Sequence, residues 1–288
     1  DPMIGSLWGL HGNHGIDAEV AWPLSSNASE VVVAVIDTGV DISHPDLADI
    51  IWTNENEIPN NGIDDDNNGY IDDISGWDFL WQDNIPDDRH GHGTHVAGTI
   101  AAIRNNNEGI AGVADNVKIM PIKILGVNAA GSEIGALDSQ IAKAIEYAFQ
   151  NGANISNNSW GGPYSSSAIQ SAIAAGGSAG HLFVAAAGNS GSNADMYPMY
   201  PAAYNLTNIL SVAAIASTGN LAGFSNYGVN SVDIAAPGVD ILSTMSSESP
   251  ACVTTPPCYV SWNGTSMAAP HAAGVAALTL GVNTGLTP

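Results

Sequence analysis

The chain is poor in positive charge: five lysines and arginines stand against 28 aspartates and glutamates, a formal net charge of −23 over 288 residues. So acidic a molecule is repelled at long range by nucleic acid and by anionic membrane, which excludes both as partners and leaves cations as the natural ones. Apolar runs are short, and none reaches the ~18 residues a membrane span needs. Cysteine is scarce. Cys252 and Cys258 sit in the proline-bearing stretch ACVTTPPCY, and their spacing fits neither a zinc ribbon nor a CxxC redox pair. That leaves a local disulfide or two free thiols. A disulfide is expected, contributing roughly 2 kcal/mol by chain entropy and pointing to an oxidising compartment. An initiator methionine and a leader are lacking too, so the chain, opening at Asp1, reads as a mature secreted product or a trimmed chain. Hydrophobic residues are abundant at 45%, with only 11% charged, which excludes disorder.

Short β-branched runs recur at 31–37, 117–125, 153–160, 181–188, 208–215 and 232–238, with helical patterns at 92–103, 133–150, 164–176 and 266–280. Strands apolar throughout suit burial on both faces, and their alternation with helices predicts a mostly parallel sheet flanked by helices, a three-layer α/β sandwich. One catalytic domain over residues 1–288 is expected, since α/β architectures often run this long undivided. In the 133–150 pattern Ile134, Leu137, Ile141, Ala144, Ile145 and Ala148 recur at helical steps, the mark of a core-facing stripe. The one biased stretch, Asn54 to Asp88, is rich in Asn and Asp and reads as an inserted loop.

Three segments carry polar residues that packing does not need. VAVIDTGVDISHPDL ends a hydrophobic strand in Asp37, a costly place for an acid unless it is paired. HGHGTHVAGTIAA sets His92 at a helix start, with His90 and His95 as rivals, and NGTSMAAPH sets Ser266 among small residues at the mouth of another helix. Alone, each has an ordinary explanation as a cap, a turn or a packed side chain. Together, in the order Asp, His, Ser with VAAAGN between the last two, they closely resemble the subtilisin-like serine proteases, or subtilases, over nearly the whole chain.

The resemblance implies that Ser266 is the nucleophile, His92 the general base and then acid, and Asp37 the group that orients the imidazole. A serine hydroxyl needs such a base, and the base needs a partner that fixes its tautomer. His92 takes the role because it is the first histidine of HGTHVAG. Asn189 corresponds to the side-chain donor of the oxyanion hole, beside the free N–H of the helix that Ser266 opens. Small neighbours let a carbonyl reach that N–H. Two extended edges, Ala129-Ala130-Gly131 and Ser159-Trp160-Gly161, correspond to those that pair with protein or peptide substrates. Trp160, Ala186, Ala187 and Gly188 would wall a first side-chain pocket with an apolar or aromatic preference. Asp195 would favour basic side chains if it reached that pocket.

Two calcium sites or more are expected. DDDNNGYIDD, residues 64–73, alternates Asp64, Asp66 and Asn68 before Gly69, then brings the Tyr70 carbonyl, with Asp72 and Asp73 to complete the set. This follows the first part of an EF-hand loop, although Ser75 stands where that loop has glutamate, and a merely solvated acidic loop is the alternative. The family resemblance, and its thermitase-like members in particular, implies a second site from Asp1, Asp46, Asn106 and the carbonyls of Ile103, Glu108 and Ile110.

The chain also stops soon after Ser266, where family members continue, so the C-terminal end of the domain reads as missing. Either a longer parent was clipped and its fragment stays bound as a partner, or the chain is truncated; the family's propeptide, the zymogen segment absent here, is a further expected partner. The leading expectation is a secreted, calcium-stabilised serine endopeptidase. A transpeptidase or macrocyclase of the same family, and an inactive calcium-bound binding module, are the rivals.

Overall fold

Period-two alternation along the strands and 3.6-residue stripes along the helices divide the core into two halves. The computed structural model describes residues 1–25, 30–115, 117–128 and 130–288. Its strands are β1 (Val31–Asp37), β2 (Trp77–Asp78), β3 (Val117–Lys123), β4 (Leu125–Val127), β5 (Glu133–Gly135), β6 (Ile155–Asn158), β7 (Leu182–Ala186), β8 (Ile209–Ile215), β9 (Ile234–Pro237), β10 (Ile241–Met245) and β11 (Cys258–Trp262). The helices are α1 (Ala18–Ser25), α2 (His92–Ala101), α3 (Asp138–Gln150), α4 (Ser167–Ser178) and α5 (Thr265–Val282). Seven strands form one sheet in the order β2-β3-β1-β6-β7-β8-β9, every pairing parallel.

Val33 and Val35 of β1, with Val184 of β7 and Val212 of β8, face α2 and α5 across one core. Ala34, Ile36 and Phe183, from the alternate positions, face α3 and α4 across the other. Both faces of the sheet are thus covered, which explains why β1, β7 and β8 carry so few polar residues. Cutting a fully buried side chain such as Ile36 to alanine removes about 2–5 kcal/mol of stability.

The expected helix at 133–150 is shorter, because α3 begins at Asp138 and Glu133–Gly135 pair instead with Leu125–Val127 as an antiparallel hairpin. The Asn128 side chain accepts the N–H groups of Ala130 and Ser132 at 2.9 and 3.0 Å, an Asx turn that reverses the chain before any helix can start. Ile134 therefore lies in β5, and Leu137 just before the helix is 70% exposed. Ile141, Ala144, Ile145 and Ala148 do form the buried stripe. Helix α1 and the β10–β11 hairpin were not read from the sequence at all. Cys252 and Cys258 are disulfide-bonded and close the loop between β10 and β11.

Candidate active site

In a parallel sheet the C-terminal strand ends gather on one edge, and β1, β6 and β7 are neighbours in that order. Asp37 ends β1, Ser159 follows β6, and Gly188 and Asn189 follow β7. The chain order of the motifs is thereby converted into adjacency.

Asp37 is fully buried. Its Oδ1 lies 2.7 Å from His92 Nδ1 and accepts the Thr38 N–H, also at 2.7 Å. A proton held on Nδ1 leaves Nε2 as the basic atom of the ring. Burial opposes charging His92, but the charge and hydrogen bond of Asp37, with smaller help from Asp88 and Glu133, outweigh it and raise the pKa above its ordinary value. His92 approaches this closely because residue 93 is glycine: a Cβ there would lie 2.0 Å from the Gly39 carbonyl oxygen. Gly91, in the left-handed region at φ 102°, turns the chain into α2.

The rival histidines behave differently. His95 is fully buried, with Nε2 bonded to the carbonyls of Ile241 and Val260 at 3.1 and 3.0 Å, and burial pushes its pKa down to about 3. It is a neutral packing residue stacked on Trp262, which also meets the His92 ring at 6.0 Å and the His90 ring at 6.2 Å. His90 sits on the cavity rim 3.5 Å from Glu133.

Ser266 is the second residue of α5, where helix geometry leaves the backbone N–H without an intrahelical acceptor. Pro270 has no N–H to bond the Ser266 carbonyl four residues back. Ser159 Oγ fills that acceptor at 2.9 Å, and Ser266 Oγ donates to the Ser159 carbonyl at 3.1 Å. Asn189 Oδ1 accepts the N–H and hydroxyl of Thr265 at 2.8 and 2.9 Å, so its Nδ2 is the end left for the cavity. His92, Asn189 and Ser266 line a single cavity of about 640 Å³.

Ser159, Trp160, Gly161, Ala186, Gly188 and Met199 wall one part of that cavity. Ala187 is buried behind it, its N–H bonded to Val212. Ala130 and Gly131 lie instead in the exposed turn between β4 and β5, and the wall is made by the strands on either side, through Leu125, Gly126 and Glu133–Gly135. Hairpin geometry accounts for the shift, since a turn tip projects away from the sheet it closes. Ala129 lies outside the described residues. Asp195 does not reach the cavity, because the N–H groups of Val229 and Ser231 and the Ser231 hydroxyl hold its carboxylate elsewhere.

The acidic insert folds on itself. Glu57, Asp66 and Asp73 bring carboxylate oxygens within 4.8 Å of one another, and the side-chain amides of Asn54 and Asn68 bridge Asp66 and Asp73. Burial raises the Asp73 carboxyl above its ordinary value, against hydrogen bonds from Tyr147, Asn68 and Asn54. Asp64 accepts the N–H groups of Asn68 and Gly69, and the Tyr70 N–H bonds Asn68. Asp72 does not join the cluster: its carboxylate turns to the N–H groups of Asn61 and Gly62. Glu57 and Asn54 were missed, since they precede the alternating run and no local spacing marks them.

The second loop is also drawn together. Asp46, fully buried, bonds Asn106 Nδ2 at 2.7 Å, the Ile110 N–H at 3.1 Å and the Tyr259 hydroxyl at 2.9 Å, while its carbonyl accepts the Ile103 N–H. The Glu108 N–H bonds Asn106 Oδ1. Asp1 Oδ2 accepts the Asn105 N–H, and its Oδ1 is buried without a hydrogen-bond partner. An orphaned, buried carboxylate oxygen is what a hard cation would satisfy, and the oxygen-rich residues of this loop fit calcium. The carboxylates of the first cluster fit the same ion.

The fold and the site define a serine peptidase of the three-layer α/β type. The subtilase family profile matches residues 28–288. The chain is 37% identical over 278 residues to thermitase of Thermoactinomyces vulgaris, covering 96% of this chain and 84% of that one. With subtilisin DY of Bacillus licheniformis it shares 38% identity over 253 residues, 88% of this chain and 77% of that one. Among solved structures, a protease of Pseudoalteromonas arctica superposes with a TM-score of 0.80 at 32% identity, over 100% of this chain and 88% of that one. The chain belongs to the subtilase family and is a serine endopeptidase.

Proposed function

We propose that this peptidase cleaves peptide bonds through an acyl-enzyme on Ser266. His92 Nε2 takes the hydroxyl proton as Ser266 Oγ attacks the carbonyl, then returns it to the leaving amine, and a water activated by the same nitrogen releases the acid. Asp37 holds the Nδ1 tautomer and stabilises the imidazolium. The Ser266 N–H and Asn189 Nδ2 bind the developing oxyanion. The single observation carrying this reading is the 2.7 Å bond from buried Asp37 to His92, which lines the same cavity as Ser266. The Ser266 hydroxyl donates to the Ser159 carbonyl, and catalytic hydrogen bonds are often long or unformed until substrate binds.

The substrate is an extended peptide laid between the Ser159–Gly161 edge and β4, with an apolar side chain against Trp160, Ala186, Gly188 and Met199. Calcium held by the Asp1–Asp46–Asn106 loop and by Glu57, Asp66 and Asp73 stabilises the fold without entering the chemistry. Residues 1–288 act as one catalytic domain, and the disulfide together with the extracellular setting of such peptidases supports secretion. Hydrolysis of a chromogenic peptide by variants is the test. Ser266→Ala and His92→Ala are expected to lose activity by several orders of magnitude, and Asn189→Ala by about 100- to 1,000-fold, the range known for this donor within the family. Retained activity in His92→Ala would overturn the assignment.

A further inference from the structure

Asp88, the last residue of the acidic insert, is 2% exposed and takes no part in the chemistry above. We propose that its carboxylate is a positioning group that fixes the segment carrying Asp37 against the segment carrying His92. The inference rests on the catalytic reading just given and adds a residue to it.

The hydrogen bonds are specific. Asp88 Oδ1 accepts the Thr38 hydroxyl at 2.9 Å, the His90 N–H at 3.0 Å and the Gly91 N–H at 2.7 Å. Oδ2 accepts the N–H and the hydroxyl of Thr94 at 2.9 and 2.6 Å. Thr38 Oγ1 in turn accepts the Gly93 N–H at 2.9 Å. Thr38 directly follows Asp37, while Gly91, Gly93 and Thr94 bracket His92. One buried group therefore holds the flanks of both members of the dyad and touches neither. Beneath it, Lys123 Nζ donates to the carbonyls of Thr38 and Asp87 at 2.7 and 2.6 Å, pinning the same two segments from below.

A plain helix cap does not account for this pattern. The capping position of α2 is Gly91, which has no side chain to offer. Asp88 reaches from three residues further back to the Thr94 N–H, as a cap would, but it also binds Thr38, which follows β1. Burying a carboxylate away from water is costly unless its lone pairs are filled; here they are filled by donors from both segments. Displacing either segment would strip donors from the other.

The charge acts on His92 as well. The titratable groups facing that ring are Asp37 from β1, Asp88 and His90 from the preceding loop, His95 from α2 and Glu133 from β5, with Lys123 lying beside Asp88. The three carboxylates favour the imidazolium, so removing one is expected to lower the pH at which His92 protonates.

Two substitutions separate geometry from charge. Asp88→Asn keeps the volume, turns an amide toward donors and removes the charge. It is expected to lower kcat about 10- to 100-fold, the cost of sub-ångström to ångström misplacement, with KM within about threefold. The acid limb of kcat/KM should move to lower pH. Thr38→Val breaks the bridge but keeps the charge: kcat should fall about tenfold with the acid limb unmoved, and Thr38→Ser, which restores the hydroxyl, should recover most of the rate. Rates are referred to folded protein measured by near-ultraviolet circular dichroism. If Asp88→Asn does not fold, the Thr38 pair decides alone. A kcat within twofold of wild type in Asp88→Asn, or Thr38→Ser no better than Thr38→Val, overturns the proposal. His92→Ala serves as the control: activity there defeats the catalytic reading itself, whereas an inactive His92→Ala beside a fully active Asp88→Asn defeats only the role of Asp88.

Discussion

At the scale of the residue, the proposed chemistry turns on the protonation of His92. A base must be neutral to accept a proton, so kcat/KM should rise with pH as His92 loses its own. Because Asp37, with smaller help from Asp88 and Glu133, outweighs burial and raises the His92 pKa above the ordinary 6.5, the midpoint of that rise should lie above pH 6.5, measured on a substrate without titratable groups. A midpoint well below that value would mean that Asp37 does not act on the ring. These residues were legible in the sequence because each motif carries its own flanks, as in HGTHVAG and NGTSMAAPH. Asp88 was not. It read as the end of a polar insert, since nothing local shows that its partner Thr38 stands fifty positions away.

At the scale of the element, the loop that follows α2 is where the proposed cation would be held. The helix ends at Ala101, and the chain then wraps Asp46 with Asn106, Ile110 and, from β11, Tyr259. A ligand present at 100 times its Kd that does not bind the unfolded chain contributes about 2.7 kcal/mol, or roughly 4–5 °C for a domain of this size. EDTA should therefore lower the melting temperature by at least several degrees, and in Asp46→Asn the difference between calcium and EDTA should shrink. A melting temperature indifferent to EDTA in the wild type would retire both calcium assignments. Strands buried on both faces were readable from their apolar runs. The hairpin at Leu125–Gly135 was not, because Ile134 and Leu137 fall on helical spacing by chance and the turn depends on one Asn128 side chain.

For the molecule as a whole, acid stability follows from buried neutral imidazoles. Burial lowers the pKa of His95 to about 3 and those of His181 and His271 to about 4. Their folded values lie below the unfolded one, so between the two the unfolded chain binds more protons. The stability they contribute is complete above about pH 6.5 and is lost as pH falls toward 4, at about 1.4 kcal/mol per histidine for each pH unit. Melting temperature should drop steeply below pH 6.5, with an active-site inhibitor present to stop autolysis. A flat profile down to pH 4.5 would show that these rings are not held neutral. Net charge was legible from composition, but which acids cluster was not: Glu57 joins Asp66 and Asp73 only through the fold.

The central claim is that Ser266 is activated by His92, and covalent labelling tests it most directly. Incubation with a serine-directed fluorophosphonate, followed by peptide mapping, should place one adduct on Ser266 in the wild type and almost none in His92→Ala. An unlabelled wild-type chain, an adduct on a different serine, or undiminished labelling without His92 would contradict it.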